Sequence, residues 1–249
     1  MKQVAWLFLL WPMWSDTHAS AAEMFDASLR GDVGLAGYST RAILAGTPDN
    51  LAVLPYLDCT YERFFARVDT FGYKAAPMGY GHLEVIARFN QDGFRTDIPA
   101  LNGLSTRQSS LPVGLGTLQV TPLGGVFFNV FHDINESGGN WVELIYGAKF
   151  TVSGLVLYPL LGVDYQSAQY VVYYYGVSDQ EAIDSRFPGY KPTSAVNAFF
   201  GLIMDIGLSQ NWHLNAYLRH KRLDDSIYHS PIITQRYLDT AYLALSYRY

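Results

Sequence analysis

The last stretch of the chain alternates between apolar and polar side chains. From Tyr237 to Tyr249, most odd positions are apolar or aromatic and most even positions are polar. The odd set contains Ala241, Leu243, Leu245, Tyr247 and Tyr249, and the even set contains Thr240, Tyr242, Ser246 and Arg248. A period of two places neighbouring side chains on opposite faces of a β-strand. The pattern therefore predicts a final strand with one apolar face and one polar face.

The same alternation recurs along the chain in segments of roughly 8 to 12 residues, the length with which a tilted strand crosses a bilayer. The candidate segments are 30–38, 51–60, 64–70, 80–90, 111–121, 126–133, 141–150, 155–165, 197–208, 212–221 and 237–249. Single-chain bacterial barrels have even strand numbers. We therefore expect an all-β, closed antiparallel transmembrane barrel with 12 strands, or alternatively 10.

The connections between these segments have two lengths. Short turns at 122–125, 152–154 and 209–211 alternate with longer connections at 133–140, 166–195 and 222–236. Short periplasmic turns and long external loops are typical of outer-membrane barrels.

The charged residues of the strands fall on the face opposite the apolar one. They are Arg67, Asp69, Glu84, Arg88, Glu143, Lys149, Asp164, Asp205, Arg219, Lys221 and Arg248. A soluble barrel would turn this face outwards and a membrane barrel would turn it inwards, so the alternation alone leaves both senses open. Strand length, the start of the chain and the aromatic terminus favour the membrane sense. The near balance of charges then indicates an ion-paired, largely closed interior more than a selective pore.

A last strand that ends on an aromatic residue resembles the assembly signal of outer-membrane barrels. The residues of this candidate signal are Leu243, Leu245, Tyr247 and Tyr249. It implies outer-membrane lipid and the barrel assembly machinery as partners, and the outer membrane of a Gram-negative bacterium as the location.

The start of the chain has the pattern of a secretory signal. Lys2 is followed by the apolar stretch from Val4 to Trp14 and by Ala19-Ser20-Ala21, a small-residue cleavage site. We predict that residues 1–21 are a signal peptide, with cleavage after Ala22 nearly as plausible, and that residues 22–249 form a single barrel domain.

Composition excludes other classes of protein. Only 16% of the 249 residues are charged, against about 25% in an ordinary soluble domain. No apolar run reaches the roughly 20 residues of a spanning helix. The net charge of -5 offers no basic surface for nucleic acid. The single cysteine, Cys59, cannot form an internal disulfide, and its position in a strand favours inert packing.

Two loops carry the most distinctive motifs. The first runs from Tyr173-Tyr174-Tyr175-Gly176-Val177-Ser178 through Glu181 to Gly189-Tyr190-Lys191-Pro192, and the second holds Arg222, Asp224, Asp225, Ser230 and Pro231. We interpret the first as strand-end aromatics, a glycine turn and a helical turn in which Ser178 and Glu181 form a capping box. A looser third motif precedes the fifth strand and contains Arg95, Asp97, Leu101, Gly103, Leu104 and Arg107.

These motifs resemble the signature of the MipA/OmpV family, the MltA-interacting protein family of outer-membrane proteins. The resemblance covers the whole mature chain except the first loop, where Gly37-Tyr38-Ser39 lacks the Pro and Gly-Ser that family members usually carry. It implies a barrel without enzymatic activity or cofactor, acting as a scaffold for a lytic transglycosylase and a bifunctional penicillin-binding protein. A passive pore for small solutes and a surface adhesin remain alternatives.

Candidate chemistry is weak elsewhere. His229 and Ser230 are adjacent, so in an extended chain they point apart, which disfavours a catalytic pair. His132, Asp133 and Glu136 are better explained as a hydrated loop tip than as a metal site. Because the two motif loops flank the hairpin of 197–208 and 211–221, we expect them to pack together as one external cap. In this cap, Arg222, Asp224 and Asp225 would pair with Asp179, Glu181, Arg186 or Lys191.

Overall fold

The computed structural model describes residues 28–249, which form a closed antiparallel β-barrel. The predicted signal peptide, residues 1–21, lies outside the described residues. The strands are β1 (Leu29–Thr40), β2 (Asn50–Tyr61), β3 (Phe64–Arg67), β4 (Thr70–Met78), β5 (Gly81–Arg88), β6 (Pro112–Thr121), β7 (Gly124–Asp133), β8 (Asn140–Gly147), β9 (Phe150–Val152), β10 (Leu155–Gln166), β11 (Ala195–Gly207), β12 (Trp212–Arg222) and β13 (Tyr237–Arg248).

The wall has twelve strands because β8 and β9 are two parts of one strand, and both pair with β10. Each strand pairs with its neighbour in the chain, and β1 pairs with β13 to close the ring. Closure satisfies backbone hydrogen bonds within a bilayer without relying on water. The prediction of a closed barrel with 12 strands is confirmed. Within residues 28–249, no helix is long and apolar enough to cross a membrane.

The barrel has the membrane sense, with apolar side chains outside and polar side chains inside. Leu35, Leu161 and Phe200 are exposed on the outer surface, whereas Glu84 and Asn197 are buried inside. The alternation seen in the sequence therefore distinguishes a surface suited to lipid from a polar lumen.

The lumen is crossed by ion pairs. Each acidic partner is held by a cation from another strand: Arg67 to Glu84 at 2.7 Å, Arg88 to Glu143 at 3.0 Å, Lys221 to Asp164 at 2.8 Å, and Arg248 to Asp32 at 2.6 Å and to Asp205 at 2.8 Å. These contacts match the expected ion-paired interior.

The sequence interpretation missed one strand. The segment 64–70 is not a single strand, since β3 ends at Arg67 and the chain turns back at 68–69 into β4. The alternation of β4 is weak because Gly72, Ala75 and Ala76 interrupt it, and a register shift lies between Lys74 and Ala76. This strand raises the count from eleven candidates to twelve.

The two ends of the barrel differ. One end has connections of two to four residues, at 62–63, 79–80, 122–123, 153–154 and 208–211. The other end carries the long connections 41–49, 89–111, 134–139, 167–194 and 223–236, besides a short turn at 68–69. By the usual asymmetry of such barrels, the long connections are external. They contain α1 (Ala168–Tyr175), a 3₁₀ turn (Pro99–Leu101), α2 (Asp179–Asp184) and α3 (Asp225–Tyr228).

Candidate functional site: the external cap

Four external connections fold into one compact unit, which we call the cap: residues 41–49, 89–111, 167–194 and 223–236. Its centre is the largest buried apolar cluster among the described residues. The members of this cluster are Ala45, Phe94, Leu101, Leu104, Tyr170, Val171, Tyr174, Tyr175, Val177, Phe187, Ala195, Leu223, Ile227, Ile232 and Ile233. Because all four connections contribute, we expect the cap to be ordered by its own core.

The tyrosine run of the first motif lies in α1, so its interpretation as strand-end aromatics is wrong. Tyr174 is fully buried, and its ring lies 4.8 Å from the rings of both Tyr170 and Tyr173. The helix ends before Gly176, where an added Cβ would lie 2.5 Å from the carbonyl oxygen of Val172. The run therefore forms the aromatic centre of the cap.

The hydroxyl groups of α1 reach the neighbouring loops. Tyr170 donates to Asp92 at 2.7 Å, and Tyr173 donates to Glu136 at 2.7 Å. Burial raises the pKa of Tyr170, and the nearby carboxylate of Asp92 raises it further. These tyrosines therefore stay neutral and act as hydrogen-bond donors from a largely apolar helix.

The predicted capping box at α2 is confirmed. Ser178 Oγ accepts from the N–H of Glu181 at 3.3 Å, and the Glu181 carboxylate accepts from the N–H of Ser178 at 2.9 Å. The same carboxylate also accepts from the N–H of Ser105 and from Arg107, both at 2.8 Å. Burial alone would raise the pKa of Glu181, but these hydrogen bonds, together with the charge of Arg107, lower it to about 2.

Arg107 joins the third motif to the first. Its Nη2 contacts Glu181 at 2.8 Å, and its Nε donates to the carbonyl oxygen of Tyr173 at 2.5 Å. Gly103 allows the close approach of these loops, since it has a φ of +89° and an added Cβ would lie 2.1 Å from the carbonyl oxygen of Asp184. Two residues of the looser motif thus hold the 89–111 connection against α2.

The two motif loops pack together, as predicted. Ser230 Oγ donates to the carbonyl oxygen of Tyr175 at 2.6 Å, and Tyr190 donates through its hydroxyl to the carbonyl oxygen of Ser226 at 2.9 Å. Tyr190 also pairs with Val177 through two backbone hydrogen bonds of 2.8 Å. Nearby, Gly189 is exposed, Pro192 is buried and Pro231 is half-buried.

The prediction of ion pairs between these two loops is wrong. Asp225 contacts two cations, Arg236 and, at a distance of 3.9 Å, Arg222. All three residues belong to the second motif loop or to its base. Asp224 instead caps α3 by accepting from the N–H of Ser226 at 2.8 Å. The charged partner of Glu181 comes from the 89–111 connection, which the prediction did not consider.

The first loop, 41–49, also belongs to the cap. Ala45 donates its N–H to the carbonyl oxygen of Ile232 at 2.9 Å, and Thr234 donates its N–H to that of Ile43 at 2.8 Å. The apolar run Ile43-Leu44-Ala45 inside an external loop was the available sequence signal for this contact.

The other candidate residues have structural partners. Ser230 is engaged with Tyr175, and Asp133 accepts from both the N–H and the hydroxyl of Ser137, at 3.0 and 2.6 Å. Within residues 28–249, no group of three or more His, Cys, Asp or Glu residues is arranged to hold a metal ion.

The residues of the proposed assembly signal lie on the outer surface. Leu243, Leu245 and Tyr249 are exposed, Tyr247 is half-buried, and the alternate residues Ala244 and Ser246 are fully buried. The face assignment is therefore confirmed, while the role of these four residues in assembly stays a prediction.

An apolar outer wall, a polar lumen and long connections at one end define an outer-membrane β-barrel with a capped mouth. A family model described as "MltA-interacting protein MipA" matches residues 33–249, so the chain belongs to this family. The predicted membership of the MipA/OmpV family is thereby confirmed.

Curated relatives agree with this assignment. MltA-interacting protein of Escherichia coli K12 is 25% identical over 147 residues, which span 59% of each chain. YiaT of the same organism, whose name assigns it provisionally to the outer membrane, is 24% identical over 82% of this chain and 85% of its own. Outer membrane protein OmpV of Vibrio cholerae is 28% identical over 54% of this chain and 52% of its own. The protein is located in the outer membrane of a Gram-negative bacterium.

Proposed function

We propose that this protein is a non-enzymatic outer-membrane scaffold that holds a murein-cleaving enzyme, a lytic transglycosylase, and with it a murein-synthesising penicillin-binding protein. The proposal extends to this chain the interaction with MltA that the name of one relative states, and the partners that the family resemblance implies. The matched region spans only 59% of that relative's length, so the partners belong to the proposal.

The observation that carries the proposal is the combination of an ion-paired lumen with a cap that has its own apolar core. A passive pore needs a continuous aqueous path, and both features oppose one. A barrel whose lumen is crossed by ion pairs and whose external end is capped is better suited to presenting surfaces to partners than to transport.

The geometry also indicates which end would bind murein enzymes. These enzymes act in the periplasm, so their docking surface has to include the short turns, such as 62–63, 153–154 and 208–211. An adhesin would instead use the cap, where Ile183 of α2 is 77% exposed.

A site-specific crosslinking experiment in cell envelopes tests the proposal. A photoreactive residue is placed at Ser153 or Gln210 in the periplasmic turns, and at Ile183 in the cap as the matched control. We expect adducts with a lytic transglycosylase or a penicillin-binding protein from the turn positions only. Adducts with host or surface molecules from Ile183 alone would support an adhesin, and steady conductance in planar bilayers would support a pore.

A further inference from the structure

The lumen contains a charged cavity near one of its ends. Its volume is about 380 Å³, within the range of roughly 300–1,000 Å³ that is usual for small-molecule sites. The strands β1 to β4 line it with Arg30, Asp58, Thr60, Arg67 and Lys74. Short turns at 62–63 and 79–80 connect these strands to their neighbours at this end. The cavity therefore lies at the periplasmic end of the barrel.

The charged side chains of the lining share the lumen face. Directly opposed residues in antiparallel strands point to the same face of the sheet. Asp58 is opposed by Asp32, and Lys74 is opposed by Glu84. Both opposing carboxylates are buried in the lumen. The remaining lining residues occupy this face by the same register: Arg30, Thr60 and Arg67.

The cavity is open because small residues leave space on β2. Phe65 of β3 is opposed by Thr60 on one side and by Gly72 on the other. An added Cβ at Gly72 would lie 2.3 Å from the Phe65 ring, so this ring covers β4 at the glycine. Thr60 carries only a short side chain. The space above β2 is therefore left unfilled by the aromatic ring.

Arg67 forms a fixed wall of the cavity and leaves one carboxylate without a partner. Its two Nη atoms donate to Glu84 at 2.8 and 2.7 Å, and its Cζ lies 4.0 Å from the centre of the Phe65 ring. Arg67 is thereby held away from pairing with Asp58, which opposes it. Asp58 is exposed, and within residues 28–249 its carboxylate makes no hydrogen bond or ion pair. This carboxylate can therefore accept a cationic group of a ligand.

The other charges of the lining suit a carboxylate. Arg30 and Lys74 are cations on either side of Asp58 in the order of the strands, and both side-chain types form charge-assisted hydrogen bonds with carboxylates. A ligand with only a negative charge would be repelled by Asp58, and one with only a positive charge would be repelled by the cations. Charge complementarity therefore favours a zwitterion that carries an ammonium group and a carboxylate on one carbon atom.

We propose that this cavity binds the free amino-acid end of a diaminopimelate residue in a murein stem peptide. Diaminopimelate has two amino-acid centres, and the second keeps its ammonium and carboxylate when the first is held in the peptide. Arg30 and Lys74 bind the carboxylate, Asp58 binds the ammonium group, and Thr60 adds a hydroxyl. Murein lies in the periplasm, at the end of the barrel where the cavity is found.

This inference goes beyond the proposed scaffold function and does not rest on it. The scaffold function concerns enzymes that contact the periplasmic turns, whereas this site concerns murein itself and the lumen. Enzyme adducts from the turns without binding of a murein peptide would remove this site alone. Binding of the peptide without enzyme adducts would remove the scaffold function alone.

Calorimetric titration of the folded barrel in detergent tests the site. The probe is a soluble disaccharide-tetrapeptide that contains diaminopimelate, and the matched probe has lysine instead, which lacks only the second carboxylate. We expect the diaminopimelate probe to bind roughly tenfold more tightly or better, the gain expected from a hydrogen-bonded charge. Free alanine has the same two charges but fills much less of the cavity, so it should bind more weakly than the diaminopimelate probe. No binding of this probe, equal affinity of the two peptides, or equally tight binding of alanine would overturn the proposal.

Two substitutions in the cavity test the two halves of the zwitterion. We expect Asp58→Asn to weaken binding of both peptides by roughly tenfold, because the ammonium group loses its anionic partner. Lys74→Gln should weaken only the diaminopimelate peptide and so remove the preference. The matched controls are Asp184→Asn and Arg41→Gln, which change exposed charges of the external loops and should leave both affinities unchanged.

Heat-modifiable gel migration shows whether each variant is assembled. The two cavity substitutions are interpreted independently, so either one decides if the other does not fold. Unchanged or tighter binding of the diaminopimelate peptide by Asp58→Asn would refute recognition of the ammonium group. A preference for diaminopimelate that persists in Lys74→Gln would refute the assigned carboxylate position. Either result would overturn the proposal.

Discussion

Glu181 shows how one buried carboxylate can hold several loops together. It accepts hydrogen bonds from Ser178, Ser105 and Arg107, so it joins the N-terminus of α2 to the 89–111 connection. Both side chains of the Arg107–Glu181 pair are nearly buried, at 11% and 7% exposed. Removing one member of such a pair leaves the other charge without compensation, which costs more than an exposed pair contributes.

The first prediction concerns this charge. We expect Glu181→Gln to destabilise the cap by about 2–4 kcal/mol, because Arg107 keeps its charge but loses its anionic partner. The measurement is limited proteolysis of the folded barrel in detergent. Asp184→Asn is the control, since this carboxylate is exposed and accepts its hydrogen bond from Gln180 of the same helix. Equal protection in Glu181→Gln and the wild type would show that the ion pair is not needed for the cap.

The second prediction is the pH dependence of the same residue. The pKa of Glu181 is lowered from 4.5 to about 2 in the folded state. A group with a lowered pKa stabilises the folded state fully above its unfolded pKa and loses this effect as the pH falls towards its folded pKa. We expect resistance of the cap to pepsin at pH 4.5, with loss between pH 4.5 and 2. In Glu181→Gln, this part of the pH dependence should be absent, and its persistence would assign the transition to another group.

At the scale of elements, α1 and the alternating strands show what sequence patterns can and cannot predict. The capping box was predictable because Ser178 and Glu181 are three residues apart and interact locally. The partner Arg107 was not predictable, because it is 74 residues away in the chain and meets Glu181 only in the folded cap. The tyrosine run was misinterpreted because aromatic residues are common in strands, whereas here tertiary packing sets the helical conformation.

The third prediction tests α1 as the centre of the cap. Tyr174 is fully buried and its ring contacts the rings of Tyr170, Tyr173 and Tyr175. We expect Tyr174→Ala to destabilise the cap by about 3–5 kcal/mol, as for other large aromatic residues removed from a core. Both loops, 166–195 and 222–236, should become sensitive to protease, while heat-modifiable migration shows that the barrel remains assembled.

Tyr173→Phe serves as the matched control, because it removes only the hydroxyl that donates to Glu136. Its cap should stay resistant to protease. Cleavage of Tyr174→Ala confined to residues 166–195 would mean that the two loops are stabilised independently.

At the scale of the whole molecule, the period of two determined most of what the sequence could reveal. It predicted the barrel and the two faces, since Glu84 and Asp164 are buried while Leu35 and Leu161 are exposed. It missed β4, where small residues weaken the alternation. It also gave no sign of the cap core, because loops have no period, and contacts such as Ala45 with Ile232 join residues far apart in the chain.

The last prediction uses the two faces of β13 to separate assembly from stability. Tyr249 is 61% exposed at the outer surface, whereas Arg248 points into the lumen and contacts Asp32 and Asp205 at 2.6 and 2.8 Å. We expect Tyr249→Glu to block assembly, because a charge then replaces the terminal aromatic residue on the lipid face. Arg248→Lys keeps the charge but loses the two-pronged geometry of the guanidinium, so it should weaken the assembled barrel without preventing its insertion. The measurement is the amount of folded protein in outer membranes, with thermal stability in detergent as the second readout. If both variants reduce the folded amount equally, the outward aromatic residue has no special role in assembly, and the lumen contacts of Arg248 are equally necessary.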